Sequence, residues 1–202
     1  MNSTPQTPKT AKLPPRKRKN AELRSREYLS ETEIEDLRKA VRNNNNHALR
    51  NDSLILIMFR HALRVSEIIA LKWQQVDLKN GLLHIKRLKN GIPSTHPLRG
   101  PEIRALRQLL RNYPDTPYVF VSERKAPLSA RTVHHIVAEA GKIAGFSFSI
   151  HPHMLRHSTG FYLANKGRDT RSIQSYMGHA NIKNTVIYTE LDANRFNDFW
   201  QD

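Results

Sequence analysis

The sequence predicts a mainly α-helical domain that carries one small antiparallel sheet. Apolar residues recur at helical spacing through most of the chain. The period drops to two around Leu83-His84-Ile85, and Asn90-Gly91, a hairpin-turn dipeptide, separates that stretch from a returning run at Ser94–Leu98.

The helices are announced in order. Ser30-Glu-Thr-Glu33 is a capping box, with Leu29 and Ile34 placed for a hydrophobic staple, so a helix runs to about Val41 and the asparagine run 43–46 ends it. Residues 48–62 are apolar on nearly every side, which predicts a buried central helix. Ser66 can cap a short helix reaching Leu71. After the hairpin, Pro101 suits the first position of a helix whose Ile103, Leu106, Leu109 and Leu110 share a face. Tyr118–Val121 reads as one more short strand. Ser129 opens a helix with Val133, Ile136, Val137 and Ala140 at core spacing, and Pro152–Asn165 forms another that Gly167 terminates. Short helices follow at Thr170–Met177 and around Thr185–Tyr188, and Phe196, Phe199 and Trp200 give the last segment an apolar face.

Length and charge bound the function. The 202 residues fit one domain with a sizeable core, plus an appendage. Lys and Arg number 33 against 18 Asp and Glu, a net charge of +15 that calls for a polyanionic partner. A membrane is the weaker choice, because the longest apolar run, Leu54 to Phe59, is far short of the roughly 20 residues of a spanning helix. No apolar segment follows the basic N-terminus as in a signal peptide, and the absence of cysteine suits a reducing cytoplasm. Residues 1–27 hold Lys9, Lys12, Arg16, Lys17, Arg18, Lys19, Arg24 and Arg26 against two glutamates, with four prolines and almost no large apolar residue. They read as a flexible basic arm for such a polyanionic partner, with a solvating tail that makes no fixed contacts as the alternative, and the folded domain as 28–202.

Three clusters could carry chemistry. Arg64, in Ala62-Leu-Arg-Val-Ser-Glu67, stands between a buried helix and a capped one, with Glu67 near enough to orient it. Lys89 sits at the tip of the hairpin. His153-Met-Leu-Arg156 puts a histidine and an arginine on one helix face, a grip for phosphate. His153 and His157 also have the four-residue spacing of helical metal ligands, but the intervening glutamate of such sites is missing and an arginine shares the face. A pair of structural histidines is the other reading. Downstream lie Gly178-His179 and, nine residues later, Tyr188.

Taken in order, these pieces resemble the tyrosine recombinase (phage integrase) family across residues 28–192. Its pattern is an arginine in G/A-L-R-x-S-E, a lysine on a β-hairpin, H-x-x-R, G-H and a tyrosine. Here those positions are Arg64, Lys89, His153, Arg156, His179 and Tyr188. Within the family, Arg87-Leu-Lys89, Ser94-Thr-His-Pro-Leu98 and Ile150–Ser158 look like the short recombinases that invert fimbrial promoter segments, as does the length.

The resemblance implies the fold of that catalytic domain, here without room for the family's separate N-terminal domain. It implies strand transfer through a 3′-phosphotyrosyl bond at Tyr188, with neither metal nor ATP. Arg64 and Arg156 would hold the non-bridging oxygens, aided by His153 and His179. Lys89 would protonate the leaving oxygen, His153 is a candidate for the tyrosine proton, and Glu67 supports Arg64. The implied partners are duplex DNA with inverted repeats, a tetramer of the chain on that DNA, and accessory DNA-bending proteins. An integrase or excisionase of a mobile element is the alternative. A non-catalytic DNA-binding regulator would be expected to have lost a catalytic residue, and a basic RNA-binding module leaves the order of motifs unexplained.

Overall fold

The computed structural model describes residues 26–43, 47–87 and 91–190. Lys89, the arm residues Lys9, Lys12, Arg16, Lys17, Arg18 and Lys19, and the segment holding Phe196, Phe199 and Trp200 lie outside the described residues. Arg26, assigned to the arm by composition, forms a two-pronged pair with Glu33, both bonds 2.7 Å.

Helix α1 spans Glu31–Asn43 and opens on the expected capping box. The Ser30 N–H donates to Glu33 (2.7 Å) and the Glu33 N–H donates to the Ser30 hydroxyl (3.2 Å). Its buried stripe of Ile34, Leu37, Ala40 and Val41 faces α2, Ala48–Arg60, whose Leu54 to Met58 are all buried. That helix stops at Arg60, two residues short of the apolar run, because Ala62 takes a left-handed backbone with φ of 51°.

The next helix, α3, spans Val65–Ile69 and begins earlier than a Ser66 cap would allow. Arg64 is the cap residue, and the Glu67 carboxylate accepts its N–H at 3.0 Å. A 3₁₀ turn at Trp73–Gln75 leads into a three-stranded antiparallel sheet of β1 Val76–Asp77, β2 Leu82–Ile85 and β3 Ser94–Pro97, in that order. Leu83 faces His96 and Ile85 faces Ser94 across the hairpin. Strand β1, only two residues long, has no sequence signature of its own. The Asp77 carboxylate caps the turn behind it by accepting from the Asn80 N–H at 2.9 Å.

Helix α4, Gly100–Asn112, buries Leu106 and Leu109, but Leu110 is 40% exposed, so the apolar stripe is narrower than its spacing suggested. Tyr118–Val121 is not a strand. It makes two isolated bridges, Lys72 to Tyr118 and Val121 to Pro127, and drops Val119 and Phe120 into the core. Helices α5, Ala130–Ile143, and α6, Pro152–Asn165, match the sequence reading, with the Ser129 hydroxyl accepting the Thr132 N–H and Gly167 at φ of 69° just past α6. Helices α7, Thr170–Met177, and α8, Lys183–Glu190, complete the described chain.

One large core joins α1, α2, α4, α5, the sheet and the start of α6. A second, small cluster of Ala62, Ala164, Ile173, Met177 and Tyr188 lies under α7 and α8. The segment before α1 is tied to the middle of α6 by the Leu29 N–H, which donates to the Ser158 hydroxyl at 2.8 Å. No helix among the described residues is long and apolar enough to cross a membrane.

Leu54 is fully enclosed at the centre of α2. Leu54→Ala should cost about 2–5 kcal/mol through lost burial and a residual cavity, read as a lower urea midpoint.

Candidate active site

Arg64, Arg87 and Arg156 approach one another around the turn at residues 61–64. Arg156, 2% exposed on α6, donates from Nη1 to the Ala62 carbonyl and from Nη2 to the Met177 carbonyl at 2.8 Å. Arg87, just past β2, donates to the same Ala62 carbonyl (3.2 Å), to His61 O (3.2 Å) and to Tyr176 O (2.7 Å). The left-handed turn at Ala62 thus places one carbonyl between two buried guanidiniums. That backbone costs a non-glycine residue energy, and the site is fully closed, so only a very small side chain fits.

Glu67 is the carboxylate that holds the arrangement. One oxygen accepts from Arg64 Nη1 at 2.8 Å, and the other from Arg87 Nη1 at 2.9 Å and from the Arg64 N–H. Burial alone would raise this carboxyl, yet the Arg64 backbone N–H and the Arg87 and Arg64 guanidiniums outweigh it and hold it below the usual carboxylate range. Two guanidiniums therefore share one carboxylate, and Arg156 beside them donates only to carbonyls, which leaves an excess of positive charge in a poorly hydrated place. Burial and the neighbouring Arg64 and Arg87 pull Arg156 down to about 9. An anion entering here relieves that strain, and a phosphate has the geometry to accept from several guanidinium N–H groups at once.

The Gly178-His179 pair fits the same centre. Gly178 has φ of 67°, and a Cβ there would come within 2.7 Å of Arg87 Cγ. Gly91 is similarly tight, since its Cβ would lie 2.6 Å from Arg87 Cβ. Both glycines exist to let the Arg87 side chain pass. His179 is buried, donates or accepts through Nδ1 with the Thr185 hydroxyl at 2.9 Å, and is pushed to about 4 by burial and by Arg156, Arg64 and Arg87.

His153 lies at the exposed start of α6, and burial of part of its ring with the charges of His157, Arg156 and Arg64 lowers it to about 4. Its ring meets that of His157 edge to face, centroids 4.5 Å apart. His157 in turn pairs with the nucleophile candidate: Nδ1 lies 2.9 Å from the Tyr188 hydroxyl. Tyr188 is 2% exposed, and burial pushes its phenol up to about 12 against the pull of Arg156 and Arg64.

The structure thus gathers Arg64, Glu67, His153, Arg156, His179 and Tyr188 around one centre. It adds Arg87, read from the sequence only as part of the hairpin cluster, and His157, read there only as a metal-spaced or structural partner of His153. Arg87 had a signal, because the inward parity of Leu83 and Ile85 on β2 continues to residue 87.

Comparison with known proteins decides the family. The phage integrase family model matches residues 27–195. The chain belongs to the tyrosine recombinases, the phage integrase family. It is 46% identical over 185 residues to the type 1 fimbriae regulatory protein FimB of Escherichia coli strain K12, covering 89% of this chain and 92% of that one. The crystal structure of XerA recombinase superimposes with a TM-score of 0.73 at 28% identity, over 85% of this chain and 63% of that chain. The XerH site-specific recombinase bound to its difH substrate, in a pre-cleavage complex, gives a TM-score of 0.73 at 25% identity, over 86% of this chain and 53% of that one. The chain thus spans between half and two thirds of these solved recombinases but nearly the whole of the fimbrial regulator.

Glu67→Gln should lower stability by about 3 kcal/mol at neutral pH, since it strips the charge from a buried pair. The depressed carboxyl contributes stability above its unfolded value of 4.5, and this contribution is lost as pH falls through the lower folded value. The gap between wild type and Glu67→Gln in urea unfolding should therefore narrow as pH drops below that point.

Proposed function

We propose that this recombinase cuts and rejoins DNA at inverted repeats through a 3′-phosphotyrosyl link at Tyr188, inverting a promoter segment that controls fimbrial expression. The observation that carries the chemistry is the surplus of guanidinium over carboxylate around the Ala62 carbonyl, with the Tyr188 hydroxyl held on the adjoining face of α6. The likeness to a fimbriae regulatory protein over nearly its whole length supports the biological setting.

Arg64 and Arg156 grip the non-bridging oxygens where charge builds in the transition state, and His153 and His179 add hydrogen bonds to them. Glu67 keeps Arg64 aimed. Lys89 protonates the departing 5′ oxygen. The bond energy stays in the tyrosyl ester, so rejoining needs no ATP. The basic arm, through Lys9, Lys12, Arg16, Lys17, Arg18 and Lys19, adds phosphate contacts that make binding fall steeply with salt. The protein acts on chromosomal DNA in the bacterial cytoplasm, aided by DNA-bending partners.

Exchange between two duplexes uses four copies of the chain. The segment beyond Glu190 has apolar residues at Phe196, Phe199 and Trp200 and acids at Asp192, Asp198 and Asp202. A groove of about 530 Å³, lined by Phe59, Pro97, Tyr162 and Ile173, with Arg99 and Arg168 beside an Arg60 paired to Glu102 and with Glu31 at its edge, suits the apolar part of that pattern on a neighbouring copy. Docked head to tail around a ring, such contacts close a cyclic assembly.

Tyr188→Phe should bind DNA normally yet trap no covalent complex on a nicked duplex; an adduct surviving in that variant would overturn the assignment. Arg64→Ala and Arg156→Ala should each lose on the order of 3–4 kcal/mol of transition-state stabilisation in the rate of adduct formation. Removal of residues 192–202 should abolish inversion of a plasmid segment between two sites, and unchanged inversion would remove the tail from the assembly.

A further inference from the structure

The hydroxyl of Tyr188 sits in a seat built by one face of α6. Gly160 lies under the ring, where a Cβ would come within 2.6 Å of its carbons. Phe161 packs edge to face at 5.1 Å between centroids, and His157 closes the polar end with Nδ1 at 2.9 Å from the oxygen. The positions 157, 160 and 161 are one helical turn, so a single stripe of α6 grips ring and hydroxyl together. His179 stands on the other side at 6.5 Å between centroids, with its Nδ1 engaged by Thr185. His153 is one turn further out and touches the His157 ring rather than the phenol.

We infer that His157, rather than His153, is the base that takes the phenolic proton of Tyr188 during strand cleavage. The inference rests on the reading of Tyr188 as nucleophile. A buried tyrosine needs some partner for its hydroxyl, and a backbone carbonyl would satisfy that need. A carbonyl cannot carry a proton away, whereas a neutral imidazole can. His157 is kept neutral by burial and by the charges of Arg156 and His151, down to about 4, so a ring nitrogen keeps its lone pair at physiological pH. A base this weak takes the proton only as the phenol oxygen bonds to phosphorus and turns acidic, not beforehand. With the other proton on Nε2, Nδ1 accepts from the phenol.

In the step itself the proton passes from Oη to His157 Nδ1 as the oxygen forms its bond to phosphorus. The bond from phosphorus to the 5′ oxygen breaks, and that oxygen leaves with its electron pair and takes a proton from Lys89. Rejoining runs the same transfers backwards, with His157 returning its proton to the phenol.

The test uses a duplex selected for binding to the Tyr188→Phe protein from a randomised pool, nicked at successive positions across its centre, with the initial rate of covalent adduct as readout. His157→Ala and the shape-keeping His157→Gln should bind this DNA as tightly as wild type and form adduct about 100-fold more slowly. Added imidazole should restore much of the rate to His157→Ala. A fluorinated tyrosine at position 188, with its more acidic phenol, should shrink the defect of both variants. The defect of His153→Ala should respond to neither. A His157→Gln rate close to wild type, a loss that neither imidazole nor fluorination repairs, or the same repair appearing in His153→Ala would each overturn the inference. Adduct formation by Tyr188→Phe would instead remove the nucleophile beneath it.

Discussion

The site depends on one buried carboxylate. Glu67 closes the first turn of α3, fixes the guanidinium of Arg64 and neutralises Arg87, which no water reaches. Without it, two like charges would face each other across a poorly hydrated gap, at a cost of several kcal/mol. With it, the cluster keeps part of its positive excess, and the protein stores that excess as an affinity for anions. Folding stability and the proposed grip on phosphate thus draw on the same few atoms.

Arg87 is the mechanical counterpart of that carboxylate. Its donors reach the turn after α2 and the last turn of α7, while its own backbone begins the connection from β2 towards Lys89. Three segments far apart in sequence, the Arg64 turn, the hairpin and the Gly178-His179 turn, are held in register by one side chain. The glycines at 91 and 178 are the steric complement of that side chain. A site assembled from such distant pieces needs a shared anchor of this kind, because each piece alone is only a short connection between helices.

Much of this was legible in the sequence, for local reasons. The capping box at Ser30, the cap at Ser129 and the glycine that ends α6 act within a turn or two of chain, so a reader meets the cause beside the effect. The order Arg64, His153, Arg156, His179, Tyr188 marked the family for the same reason. What escaped depends on distant partners. Strand β1 exists only because β2 pairs with it, Tyr118–Val121 spends its apolar residues on the core rather than on a ladder, and Leu110 falls beyond the width of the neighbouring helix. The parity of β2 hinted that Arg87 points inward, but what it meets there lies 20 to 26 residues upstream and 89 downstream. The partnership of His157 with Tyr188 likewise joins two helices, whereas helical spacing relates His157 only to its neighbour His153.

The division of apolar residues into two unequal clusters has a thermodynamic consequence. Tyr188 is seated in the smaller one, beside Ala62, Ala164, Ile173 and Met177, and the large core is built without it. Elements resting on few buried contacts open at a free energy well below that of global unfolding. Helix α8 therefore opens at a lower free energy than the elements around the large core, and Tyr188 goes with it. The tyrosine that the family motif marks thus rides on the part of the described fold that is cheapest to move.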